Sequence, residues 1–228
     1  MSDRGAALRM ILTLAVATGA AAACGGHPES RVVDQYFGAV NAQDNQTLTS
    51  FSMVSFDKKV EKWAITSDAP ESRRPATLPD LVKKVKDLDA QIAANKKEAG
   101  AFSLQHADEY ARYKDATAKG GKVPPALAKF GDQWDEFNQK DRDLRKAITE
   151  AKAAVERERH AVTLSVGNLP DVDTLTGEAV DKQLDLALTI GGQVQNYVMT
   201  LRRYDLSGAQ GGGRMVSRWV VQSLAPKG

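Results

Sequence analysis

The chain has 228 residues and one cysteine, and its 31 basic and 29 acidic side chains leave a net charge of +2. Such a balance argues against the concentrated basic surface that nucleic-acid binding needs, and a lone thiol excludes intrachain disulfides and thiolate metal centres. No nucleic acid is expected as a partner, and no cofactor is called for. At the start of the chain, Arg4 and Arg9 accompany an apolar, alanine-rich run over residues 10–22. That run is shorter than the ~20 apolar residues of a membrane span and has the build of an export signal that is removed, residues 1–23.

The signal ends in Ala21-Ala22-Ala23-Cys24. This tetrapeptide resembles the lipobox of bacterial lipoproteins, in which the cysteine is acylated and becomes the new first residue, although leucine is commoner at position 21. The resemblance implies that Cys24 is the lipid-attachment residue and that the chain is exported and membrane-anchored. Gly25 stands where the inner-membrane retention signal of that family carries Asp, which implies the periplasmic side of the outer membrane in a cell with two membranes. An ordinary secretory signal, cut at the same bond, is the alternative, because Ala21 and Ala23 also fit the small-x-small cleavage pattern. Residues 24–30 then form a tether reaching at most about 20 Å.

From residue 31, Val33, Tyr36, Phe37 and Val40 recur at three and four, predicting a helix with one buried stripe. Asp44 is placed to cap a second short helix carrying Leu48 and Phe51. Residues 60–66 read as a strand with Trp63 and Ile65 on one face. Residues 67–77, with two prolines and Arg73-Arg74, read as a linker.

Thr77 is expected to cap a long helix with Pro79 in its first turn and Asp80 reaching back. Leu81, Val85, Leu88, Ile92, Ala99 and Phe102 then alternate by fours and threes. Gly120, Gly121, Pro124 and Pro125 break the pattern, and Leu127, Phe130, Trp134, Phe137, Asp141, Leu144, Ile148, Ala151 and Val155 resume it. Two such helices joined by a short turn predict an antiparallel coiled-coil hairpin over residues 78–160, projecting about 50 Å. The expected register pairs Ile92 with Val155, Ala99 with Ile148 and Tyr113 with Trp134. It also sets His106 opposite Asp141, a polar pair that would fix the alignment of the seam.

Beyond residue 161 the period becomes two. Val162, Leu164 and Val166 alternate with polar residues, as do Leu184, Leu186, Leu188 and Ile190. Gly191-Gly192 marks a turn or bulge, and strands are expected over 194–206 and 215–224. The fold class is therefore α+β: N-terminal helices packed on a curved antiparallel sheet and interrupted by the helical hairpin. Residues 31–77 and 161–228 form the α+β domain, and 78–160 the insertion.

The run Val32-Val33-Asp34-Gln35-Tyr36-Phe37-Gly38-Ala39-Val40, with Asp44 behind it, and the final strand around Arg218-Trp219-Val220-Val221 resemble the nuclear transport factor 2-like, or cystatin-like, superfamily. That resemblance implies a cone-like fold. It assigns no activity, because the superfamily holds enzymes, binders and assembly domains.

Catalytic signals are sparse. His27, His106 and His160 are too far apart in sequence to form a metal-binding pair. Ser103, His106 and Asp141 could be drawn as a nucleophile, base and orienting acid, but a helical seam offers neither a substrate cavity nor oxyanion donors. Asp185, Tyr197, Arg203 and Tyr204 supply no recognisable acid–base pair to the sheet. Tyr110, Tyr113, Phe130, Trp134 and Phe137 crowd towards the helical turn, either packing it or leaving an apolar patch. The leading reading is a membrane-anchored envelope lipoprotein whose helical arm binds an envelope protein or a second copy of itself. The alternative is a small-ligand site, less readily an enzyme's, in the concave face of the sheet.

Overall fold

The computed structural model describes residues 27–118, 122–207 and 217–228. The export segment, Cys24 and the start of the tether lie outside the described residues. Helix α1 (Ser30–Ala42) buries Val33, Tyr36, Phe37 and Val40, the stripe that three-and-four spacing predicts. Helix α2 (Asn45–Thr49) follows, capped by the Asp44 carboxylate, which accepts from the Thr47 amide at 2.9 Å.

The strands form a five-stranded antiparallel sheet. Strands β1 (Lys62–Asp68) and β2 (Ser72–Pro75) share one edge of β3 (Thr176–Ile190); β4 (Gln193–Ser207) pairs with its other edge, and β5 (Val220–Pro226) lies outside β4. The chain is thus α+β, as expected. Two details differ within residues 67–77. This stretch is not a plain linker: β1 extends into it and β2 lies inside it, with Pro75 tolerated because it ends an edge strand. The long β3–β4 hairpin turns on Gly191 and Gly192, whose φ angles of 57° and 76° suit a two-residue turn that few other residues adopt.

Alternation along β3 and β4 turns Leu184, Leu186, Leu188, Tyr197, Met199 and Leu201 to one face, where α1, Leu48, Phe51 and Val60 cover them. The other parity, Ala179, Tyr204 and Leu206, packs against Leu78, Val155, Ala161 and Val162. Both faces of the hairpin are therefore used, one by α1 and the other by the helices that follow β2.

Those helices are α3 (Leu78–Gln105), α4 (Ala107–Ala118) and, after a 3-10 turn at Pro125–Leu127, the 39-residue α5 (Ala128–Val166). The expected first helix is split at His106, where φ −116° and ψ 40° leave the helical region. His106 ends α3 and opens α4, and Glu109 three residues on lies 2.7 Å from its ring nitrogen Nδ1. Thr77 does not cap α3 with its side chain; its hydroxyl donates to Glu158 on α5 at 3.1 Å.

The expected strand at residues 162–166 is helix. Ala161, Val162, Leu164 and Ser165 are all buried, a spacing of one, three and four that only a helix places on one face. Arg218 fastens this end, donating from Nε to the Leu164 carbonyl at 2.6 Å, one of the carbonyls a helix terminus leaves unpaired. The Ser165 hydroxyl accepts from the Tyr204 amide at 3.1 Å and donates to the Arg218 carbonyl at 2.9 Å.

Candidate functional site

Along α3 and α5 the packing falls into successive clusters. Leu88 meets Ile148 and Ala151, and farther from the sheet Tyr113, Leu127 and Phe130 are buried together. The expected register would have set Leu88 against Arg159, two to three helical turns from where it lies. Four-three apolar spacing repeats along both helices and fits more than one alignment, so periodicity alone does not choose between them.

The expected His106–Asp141 pair is not formed. The His106 ring packs on Phe102 and Phe130, at centroid distances of 4.7 and 6.1 Å, and its Nδ1 lies 2.7 Å from Glu109. Phe130 precedes Asp141 by about three turns, some 16 Å along α5. Asp141 instead accepts from Arg145 Nε at 2.6 Å. Ser103 donates to the Gly100 carbonyl at 2.9 Å, so the three residues of the hypothetical triad go separate ways.

The polar residue of the packed layer is Asn95, only 2% exposed, which the four-three series passes through and sequence reading overlooked. Its Nδ2 donates to the Phe137 carbonyl at 3.1 Å, one turn before Asp141. Asn95 Oδ1 and Asp141 Oδ1 are both buried without a partner among the described residues.

Around this layer and beyond it lies an aromatic row. Phe102 stacks on Phe130 at 5.2 Å with planes 13° apart and meets Phe137 at 5.5 Å. Tyr110 lies 4.8 Å from Trp134, and Tyr113 donates to Asp135 at 3.0 Å. Phe130 and Tyr113 are buried, whereas Phe102, Tyr110, Trp134 and Phe137 are only half-buried. A groove of about 260 Å³ opens beside Phe102 and Phe137. Chemically this surface offers apolar area with a polar rim of Gln133, Glu136 and Lys140.

The sheet residues singled out from sequence do not converge. Asp185 accepts from Ser67 and Lys227, Arg203 lies over Trp219 at 4.9 Å, and Tyr197 packs edge-on to Phe56. Tyr204 is fully buried near Glu158 and Arg202, and burial pushes its phenol well above the ordinary value. The sheet face under α1 is filled by Tyr36, Phe37 and Phe51. Arg202 and Asp181 pair at 2.5 Å, with Glu158 of α5 3.6 Å from the same guanidinium, so this charge cluster joins helix to sheet.

Comparison with protein-family models, with curated proteins and with solved structures finds no match to this chain. Among the described residues no helix is long and apolar enough to cross a membrane.

Proposed function

We propose that the chain is a membrane-anchored envelope lipoprotein, acylated at Cys24, whose helices form an antiparallel coiled-coil arm that binds another protein. The α+β part is read as the nuclear transport factor 2-like base of that arm. Support for anchoring comes from the Ala21–Cys24 run and the apolar segment before it. Support for the arm comes from the order of contacts: residues progressively later in α3 and α4 meet residues progressively earlier in α5. With 39 residues, α5 is about 58 Å long.

The observation that carries the binding reading is the half-covered aromatic row at the groove beside Phe102 and Phe137. Aromatic side chains enclosed by a polar rim are among the residues on which protein–protein affinity concentrates. The test is crosslinked purification from native membranes, comparing the full chain with one whose residues 79–159 are replaced by a short Gly/Ser linker. Specific proteins recovered only with the helices present support the reading; identical recovery from both forms overturns it.

A further inference from the structure

A cluster of charged side chains gathers where the start of α1 meets the end of β1. Lys182 of β3 donates to Glu29 Oε1 at 3.0 Å and lies 2.8 Å from Asp68 Oδ2, so each carboxylate gives one oxygen to the ammonium and keeps the other. Asp68 Oδ1 lies 3.5 Å from His27 Nδ1. Glu29 is 2% exposed, and its Oε2 is buried with no hydrogen-bond partner among the described residues. Ligand atoms of His27, Glu29 and Asp68 all lie within 4.8 Å of one another.

We propose that His27, Glu29 and Asp68 bind a divalent transition-metal cation of the zinc type, with Lys182 holding the two carboxylates in place. Zinc bonds of about 2.0–2.1 Å in tetrahedral geometry set neighbouring ligand atoms about 3.4 Å apart, close to the His27–Asp68 separation. An imidazole nitrogen with two carboxylate oxygens suits zinc and its neighbours better than magnesium or calcium. The two carboxylates outnumber the one ammonium between them, so a cation is attracted. It would also give the buried Glu29 oxygen the partner whose absence is costly. The His27 and Asp68 side chains are 40% and 33% exposed, which leaves a coordination position open to water.

The residues are presented by fixed elements. The Ser30 hydroxyl and amide both donate to the His27 carbonyl, at 2.6 and 2.9 Å, turning His27 back over the start of α1. Asp68 ends β1, and Lys182 lies on the adjacent β3. Sequence spacing hides the set, because its acidic members sit on either side of most of the first helix and strand.

The test is a titration of the full chain, free of any polyhistidine tag, with Zn²⁺ against a chromophoric chelator. One equivalent is expected to bind, and His27→Ala and Asp68→Asn, neither at a buried position, are each expected to weaken binding at least about tenfold. Zn²⁺ should raise the melting temperature of the parent chain and leave both variants unmoved. No saturable binding below ~0.1 mM, or binding unaltered by both substitutions, overturns the proposal.

Discussion

Gly177 shows how much one residue constrains the sheet. Its φ of 144° is a conformation open to glycine, and a Cβ there would lie 2.2 Å from the Asp205 carbonyl oxygen on β4. Since the obstacle is backbone, Gly177→Ala should cost about 3 kcal/mol in urea unfolding. Gly100, in the middle of α3 with nothing within 4 Å of its would-be Cβ, should respond oppositely, Gly100→Ala gaining about 1 kcal/mol. Equal effects at the two sites would contradict the packing described. Tyr36 carries a pH dependence. Burial raises its phenol from 10.0 to about 12, so the folded state keeps its full stability below pH 10 and loses it as pH rises towards 12. Tyr36→Phe should flatten that alkaline limb when urea midpoints are measured between pH 9 and 12; the limb persists in part because Tyr204 and Tyr113 shift in the same direction.

Among the elements, the packing of α3 on α5 turns on Asn95. A polar residue in an apolar layer costs stability and selects one alignment among those that a seven-residue repeat permits. Asn95→Leu should therefore raise the thermal stability of the helices while loosening their register. Engineered cysteine pairs read the change: Leu88 with Ile148 should crosslink efficiently in the parent, and pairs displaced by one heptad should appear only in the variant. An unchanged crosslinking pattern would remove Asn95 from this role.

How legible each element was follows from its physics. The stripe of α1 and the alternation of β3 and β4 repeat often enough to fix both type and face. Val162, Leu164 and Val166 alternate for too few residues, and the small Ala161 and Ser165 that complete the helical face carry no hydrophobic signal of their own. Strand β2 is hidden by Arg73, Arg74 and Pro75, whose partners Glu178, Asp205 and Asp181 are more than a hundred residues away. The His106–Asp141 expectation failed because it took the register from the apolar repeat and passed over Asn95. The aromatic row was legible as a composition, but which of its rings stay open depends on how α4 leaves α3 at His106.

At the scale of the whole molecule, an α+β base and a helical extension are joined through Leu78, Val155, Ala161 and Val162 on the sheet's second face, and through Arg218 at the end of α5. Under the proposed anchoring at Cys24, attachment of this kind would let the base direct a surface on the helices away from the membrane. The central claim is that the groove beside Phe102 and Phe137 meets another protein. Its most direct test places a photo-crosslinking amino acid at the exposed Gln133 on the groove's rim, with a control at the exposed Ala153 on α5, in the full chain within its native membranes. A discrete crosslinked species from position 133 and none from 153 is the predicted result; no species from either position, or the same species from both, would contradict the account.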